Sequence, residues 1–208
     1  MLTVPYESAR AEIVVVNSRF IASLAPVEST EAAREYVASI RREFPDATHN
    51  VPAFIIGGGN SVSEFCSDDG EPSGTSGRPL LAVLKGSGLG NVAVVVTRYF
   101  GGALLGTGGL VKAYSEAGRA VLSGVRRAEL VEARRASFSV PYHLFDRTRM
   151  LMAETGAQAV SEDFAEEVRL VVDIAASSYG GFAAGLSELS AGRVVPKIEG
   201  SMTIARPV

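Results

Sequence analysis

The sequence predicts an α+β protein built from two domains. Its 208 residues are long enough for two compact domains. A glycine-rich stretch from Ser67 to Lys112 follows a mixture of strand and helix patterns in the first part of the chain. The last part has the order β-α-β-β-α-β, which is the split ferredoxin-like pattern. We therefore expect one domain over residues 1–130 and a ferredoxin-like domain over residues 136–208.

The first domain begins with strand and helix patterns that are easy to separate. The apolar run over 11–16 and the alternation over 20–24 predict a pair of strands or one long bent strand. Ser29 can cap a helix whose apolar residues recur at helical spacing, and Pro45 ends that helix. Further strands are expected over 51–56, 61–65 and 91–99, and further helices over 79–84 and 110–122.

Two of these segments carry additional information. Residues 57–60, Gly-Gly-Gly-Asn, fit a hairpin turn between the strands that flank them. The continuous valine-rich run within 91–99 is typical of a strand covered on both faces.

The second domain follows after a boundary expected near Arg127 to Arg135. Strands are expected over 136–141, 158–162, 167–175 and 194–204, and helices over 143–154 and 178–191.

Composition and charge limit the classes of function. Hydrophobic residues make up 47% of the chain and charged residues 21%, so a normal core can form. The net charge is only -3, and the first 135 residues balance 14 basic against 14 acidic side chains. Nucleic-acid binding must therefore come from a local basic patch.

The compartment is predicted to be the cytoplasm. Cys66 is the only cysteine, which excludes a disulfide within the chain and a cysteine zinc site. The N-terminus has no signal-peptide pattern, and no apolar run is long enough to span a bilayer. We expect neither a cofactor nor a membrane partner.

The glycine-rich stretch is the first candidate functional surface. Free amides at a helix start bind anions, and flanking cations could pair with phosphate. The stretch matches neither the P-loop nor the dinucleotide-binding fingerprint, and its glycines could equally serve close strand–helix packing. The candidate ligand-binding residues are Arg78, Arg98, Gly101, Gly102, Gly106, Gly108, Gly109, Lys112 and His49.

An acidic loop and a histidine are further candidates. Asp68, Asp69 and Glu71 could hold a divalent cation, or could instead cap turns and pair with Arg78 or Arg98. His49 could act as a base or bind phosphate, or could be a structural hydrogen-bonding group. The sequence has no convergent metal-ligand set and no nucleophile elbow, so no catalytic residue is predicted.

Four motifs in order resemble the IMPACT/YigZ family. They are Ser18-Arg19-Phe20-Ile21-Ala22, Asp46-Ala47-Thr48-His49-Asn50, Ser67-Asp68-Asp69-Gly70-Glu71-Pro72-Ser73-Gly74-Thr75 and Val96-Thr97-Arg98-Tyr99-Phe100-Gly101-Gly102, continued by Leu105-Gly106-Thr107-Gly108-Gly109-Leu110-Val111. One departure is Val51-Pro52, where the family usually has a cysteine and then an aromatic residue. This departure argues against thiol chemistry at that place.

The resemblance implies a first domain folded like domain two of a small-subunit ribosomal protein. It implies a second domain like the last domain of elongation factor G. Eukaryotic relatives modulate translational control, and binding to RNA or the ribosome is the usual proposal for bacterial members.

These observations lead to three hypotheses of function. The first is a non-enzymatic, translation-associated module that binds RNA, the ribosome or another phosphate-rich ligand through the glycine-rich surface. The second is a metal-assisted phosphotransferase or hydrolase that uses the acidic loop. The third is a protein-interaction module, anchored at Tyr99 and Phe100, whose partner could be a translation-control protein.

Overall fold

The computed structural model describes residues 2–58 and 61–208 and confirms the α+β class with two domains. The chain divides into one compact unit of residues up to 129 with 207–208, and a second of residues 130–206. Gly59 and Asn60, in the predicted hairpin turn, lie outside the described residues. None of the described helices is both long and apolar enough to cross a membrane.

The strands and helices alternate along the chain. The strands are β1 (Leu2–Pro5), β2 (Ala9–Val15), β3 (Ser18–Pro26), β4 (His49–Gly58), β5 (Ser61–Cys66), β6 (Val92–Tyr99), β7 (Arg127–Val140), β8 (Gln158–Phe164), β9 (Val168–Ala175) and β10 (Lys197–Pro207). The helices are α1 (Thr30–Glu43), α2 (Gly77–Gly86), α3 (Gly106–Ser123), α4 (Tyr142–Thr155) and α5 (Tyr179–Leu189).

The first unit is an antiparallel sheet with helices on both faces. The strand order is β2-β3-β6-β4-β5, so β6 is central. Val92, Val94 and Val96 pack in the core beneath α2 and α3, whereas Ala93 and Val95 pack against the α1 side. The valine-rich run is therefore covered on both faces, as the sequence predicts.

Proline is accommodated within β4 at the edge of its pairing with β5. Pro52 lies opposite Val95 of β6, but pairing of β4 with β5 begins only at Ala53. The missing amide of Pro52 therefore interrupts no bond to β5.

The second unit is a four-stranded antiparallel arrangement with two helices on one face. Its strand order is β8-β9-β7-β10, and the chain order β-α-β-β-α-β matches the ferredoxin-like prediction. The core joins Phe138 of β7 and Leu170 of β9 to Phe182 and Leu186 of α5. The stretch 127–135, where the sequence places the domain boundary, belongs to β7.

Candidate functional site

Three separate segments meet around a cleft of about 460 Å³ in the first unit. They are the start of β4, the acidic loop before α2, and the stretch from the end of β6 into α3. We call it the glycine cleft. Its lining residues are Thr48, His49, Gly70, Glu71, Pro72, Arg98, Phe100, Leu104, Leu105, Gly106, Thr107 and Leu110.

A buried ion pair joins β6 to the acidic loop beside this cleft. Arg98 is only 5% exposed and Glu71 only 8%. Arg98 Nη1 donates to Glu71 Oε1 at 2.6 Å, and Nη2 donates to Ser18 Oγ at 3.3 Å. Ser18 Oγ also accepts from the amide of Gly101 at 3.2 Å, which ties the end of β6 to β3.

The guanidinium of Arg98 also lies between two aromatic rings. Its central carbon is 5.4 Å from the ring centre of Phe20 and 5.6 Å from that of Phe100. Such contacts favour a cation that has lost most of its water. Within the described residues, Arg98 Nε is the one buried side-chain nitrogen or oxygen without a hydrogen-bond partner.

Tyr114 of α3 also belongs to the buried network around Arg98 and Glu71. Its hydroxyl donates to Glu71 Oε1 at 2.7 Å, and its ring meets Phe20 edge-on at 5.3 Å. Burial raises the pKa of Tyr114, and the bond to Glu71 raises it further. The hydroxyl therefore stays protonated and acts as a donor to Glu71.

His49 stands on the other side of Glu71. It lies opposite Arg98 in the β4–β6 register, with a side chain 19% exposed. Its Nδ1 is 2.8 Å from the carbonyl oxygen of Asp69, and its Nε2 is 3.7 Å from Glu71 Oε2. His49 thus faces a carboxylate at the cleft while its other nitrogen holds the loop.

The first acid of the loop is fully used in shaping it. Asp68 Oδ2 accepts from the amide of Gly74 at 2.8 Å, and Oδ1 accepts from Gly77 N at 2.9 Å and Ser76 Oγ at 2.9 Å. Burial alone would raise the pKa of Asp68, but these bonds outweigh it and hold that pKa below the usual range. Asp68 therefore caps the start of α2 as an ionised side chain.

The second acid fastens the loop to β4 and α1. Asp69 Oδ2 accepts from the amide of Asn50 at 2.7 Å, and Oδ1 pairs with Arg41. A cation at this loop would have to compete with these bonds and with the Glu71–Arg98 pair. Over residues 2–58 and 61–208, no group of three or more His, Cys, Asp or Glu side chains is arranged to hold a metal ion.

The glycines of the motif fall into two kinds. A Cβ on Gly101 would stand 2.1 Å from the backbone of Asn17, so Gly101 permits close packing of the chain. A Cβ on Gly102, Gly106 or Gly108 would meet no atom within 4 Å. The packing interpretation is therefore correct for Gly101, whereas close packing does not account for Gly102, Gly106 or Gly108.

Helix α3 starts at the cleft without a side-chain cap. Gly106 opens it at a φ of +68°, a left-handed conformation that favours glycine. Its first turn contains no acidic residue, and Leu105 at the cap position provides no hydrogen-bonding side chain. The cap residue of this 18-residue helix thus supplies no side-chain acceptor for the first amides.

Two of the expected cations lie away from the glycine cleft. Arg78 lies at the start of α2 and lines a different groove. Lys112 is on an outer face of α3, 77% exposed, and 3.9 Å from Glu116. Of the proposed basic residues, only Arg98 and His49 line the cleft.

Sequence reasoning did not identify Ser18 and Tyr114 as parts of this network. Tyr114 falls on the apolar stripe of α3, where a buried tyrosine needs a partner for its hydroxyl. The sequence therefore indicates that the hydroxyl of Tyr114 has a buried partner, but it does not identify Glu71 as that partner.

Comparisons with known proteins agree on one family. The Impact N-terminal domain model matches residues 16–122, which include every lining residue of the cleft. The chain is 37% identical over 179 residues to IMPACT family member YigZ of Escherichia coli (strain K12), covering 86% of this chain and 88% of that relative. It is 44% identical over 126 residues to IMPACT family member YvyE of Bacillus subtilis (strain 168), covering 61% of this chain and 56% of that relative.

Two solved structures are also similar. One, described as a hypothetical protein, is 35% identical with a TM-score of 0.60 and covers 94% of this chain and 95% of its own. The other, the two-domain translational regulator Yih1, is 27% identical with a TM-score of 0.36 over 59% of this chain and 47% of its own. The second similarity is too low to support an inference about this chain.

Proposed function

The chain belongs to the IMPACT family, and on this premise we propose that it is a non-enzymatic, translation-associated module that binds RNA phosphate in the glycine cleft. The resemblance to the family implies a role in translational control. RNA, free or within the ribosome, is the phosphate-rich ligand that such a role makes available.

The start of α3 carries this proposal. Gly106 and Thr107 of its first turn line the cleft, the cap position makes no side-chain hydrogen bond, and the first turn contains no acidic residue. Helix starts of this kind attract phosphate through free N–H groups and the positive end of the helix dipole. Arg98, whose Nε lacks a partner among the described residues, lies at the same cleft and is a second, independent sign of a ligand.

The charges at the cleft give the helix amides and Arg98 different roles in the proposed site. Glu71 balances the charge of Arg98 at 2.6 Å, so the pair adds little net positive potential. The amides therefore supply the attraction, and Arg98 fixes the shape of the cleft around them. Thr107, which lines the cleft in the first turn of α3, can add a hydroxyl donor.

The sharpest test adds a carboxylate where the phosphate should bind. Thr107→Glu places a negative charge in the first turn of α3. This change should preserve or raise the free energy of unfolding, because an acidic side chain near the start of a helix interacts favourably with the helix dipole. It should weaken binding of a single-stranded oligouridine by about tenfold or more, since it replaces a charged hydrogen bond with repulsion. Fluorescence anisotropy at low salt measures the affinity, and cosedimentation tests ribosomes in parallel.

Thr30→Glu is the matched control. It makes the same substitution in the first turn of α1, on the opposite face of the sheet. Oligouridine binding should be unchanged in this variant. Equal affinities for Thr107→Glu and the natural protein, with both folded, would contradict the proposed cleft.

A protein-interaction module is the second candidate, because the mouth of the cleft is apolar. Leu104 is 90% exposed and Phe100 is 46% exposed. Exposed apolar side chains beside a cleft can anchor a protein partner. A stoichiometric partner that survives nuclease treatment and is lost in Leu104→Ser would favour this candidate over RNA binding.

A further inference from the structure

A second groove lies between α2 and α3 in the first unit, with a volume of about 860 Å³. Its lining includes Arg78 near the start of α2 and Arg119 near the end of α3. Arg127, which follows α3, lines the far end. We call this surface the arginine groove.

The cations of the arginine groove are available for a ligand. Arg78 and Arg119 are exposed, and neither has an ion pair with any residue that the structure describes. Arg127 is also exposed and donates to the carbonyl oxygen of Ser87 at 3.1 Å. None of the lining residues is an aspartate or a glutamate.

This local excess contrasts with the composition of the surrounding chain. The first 135 residues hold equal numbers of basic and acidic side chains. Several exposed arginines elsewhere on the unit have an acidic partner, as Arg10 has in Glu43, Arg19 in Glu12 and Arg41 in Asp69. The groove therefore concentrates unbalanced positive charge on one side of an otherwise neutral unit.

The two helices run side by side in the same direction, which spreads the cations along the groove. Gly118 of α3 faces Leu80 and Val83 near the start and middle of α2, where an added Cβ would be 2.9 Å and 3.4 Å from their side chains. Further along, Arg127 reaches Ser87 at the end of α2. From Arg78 to Ser87 a helix rises about 13.5 Å.

We propose that the arginine groove binds the sugar–phosphate backbone of single-stranded RNA. Guanidinium groups match phosphate oxygens with two parallel hydrogen bonds, so three of them along the groove can contact several phosphates of one strand. The hydroxyls of Ser115 and Ser123 already donate to the carbonyl oxygens of Val111 and Ala120, so the phosphate contacts fall to the arginines. Val83 and Leu122 offer an apolar floor to the sugars.

The groove has no aromatic lining residue on which bases could stack. Binding should therefore depend on charge and salt and only weakly on sequence. The arginine groove shares no lining residue with the glycine cleft, so this proposal does not depend on the one made there.

Arg78→Ala combined with Arg119→Ala tests the groove in the full chain. Both side chains are exposed and have no ion pair with a described residue, so the double variant should keep its thermal midpoint. Binding of an oligouridine about 16 nucleotides long is measured by anisotropy across a salt series. The slope of log affinity against log salt should become shallower by about 1.4, because each lost phosphate contact removes about 0.7 for a single strand.

Arg34→Ala combined with Arg42→Ala is the matched control. It removes the same charge from exposed positions of α1, on the opposite face of the sheet. Its salt slope should stay at the natural value. An equal change of slope in both double variants, or in neither, would overturn the groove as the binding surface.

Two further outcomes separate the sources of binding. If Thr107→Glu loses affinity and the groove variant keeps its salt slope, the groove is overturned and the glycine cleft is supported. If Thr107→Glu keeps its affinity and the groove variant has a shallower slope, the cleft is overturned and the groove is supported. A poly-glutamate peptide that competes as well as oligouridine at equal charge would also overturn the proposal, because the groove would then bind acidic peptides.

Discussion

The side chain of Arg98 is buried in the structure, whereas the sequence predicts a cation available to a ligand. It lies near the end of the central strand β6, between the rings of Phe20 and Phe100, and pairs with Glu71 at a distance of 2.6 Å. Burying both charges costs desolvation energy that their attraction only partly recovers. The pair therefore serves to hold the acidic loop over the cleft more than to stabilise the unit.

Removing the charge of Glu71 tests how strongly the buried Arg98 depends on its counter-charge. Glu71→Gln keeps the shape but leaves Arg98 buried without a counter-charge, so we expect a loss of about 3 kcal/mol in the free energy of unfolding. Glu12→Gln is the control, because Glu12 pairs with the half-exposed Arg19 and its loss should change stability little. Urea unfolding of the three proteins measures the difference, and equal effects would contradict the buried role.

At the scale of elements, the first turn of α3 contains a glycine that lowers the stability of the helix. Gly108 sits in the first turn with free space around it and no left-handed φ. Glycine at such a position costs helix stability relative to alanine, and nothing in the local packing requires it. A ligand that approaches the backbone closely is a physical reason to keep it.

Gly108→Ala should therefore stabilise the protein, by roughly 0.5–1 kcal/mol. Gly101→Ala is the contrasting change, because its Cβ would collide with the backbone of Asn17 and should cost roughly 1–3 kcal/mol. Thermal unfolding of both variants distinguishes them. A destabilised Gly108→Ala would mean that the first turn of α3 is packed more tightly than the structure shows.

Most elements follow from residue patterns, and the exceptions have physical causes. The strands of the first sheet and α1 were predictable because their apolar residues alternate or recur at helical spacing. Strand β1 was missed because four residues ending in Pro5 give almost no periodicity. Strand β7 was predicted to start at Ala136, because its first nine residues carry five charges.

The site was predictable in its members but not in its contacts. The sequence indicates that His49, Glu71 and Arg98 matter, and the structure brings all three to one cleft. The course of the acidic loop depends on Asp68 and Asp69 binding amides that lie up to 19 residues away. No short-range pattern encodes bonds of that range, so Arg78 was grouped with Arg98 although the two line different surfaces.

At the scale of the whole molecule, each unit has its own hydrophobic core. The first is organised around β6 and the second around β9, with Leu24 and Leu170 among their fully buried residues. Both proposed RNA-binding surfaces lie in the first unit. Damage to the second core should therefore spare binding.

Leu170→Ala should lower stability by about 2–5 kcal/mol and leave the oligouridine affinity unchanged while the first unit is folded. Leu24→Ala makes the same cavity-forming change in the first core and should weaken binding as that unit loosens. Calorimetry and anisotropy on the same samples test both statements. Loss of RNA binding in Leu170→Ala, with protected amides still present in β6, would place part of the RNA surface in the second unit.

The parallel course of α2 and α3 has an electrical consequence. Two parallel helices place both positive ends at one side of the layer and both negative ends at the other. Asp68 neutralises the positive end of α2, and Lys85 and Arg127 lie at its negative end. The dipole of α2 is thus compensated by charged side chains at both ends, whereas the positive end of the α3 dipole, at Gly106, has no acidic residue in its first turn.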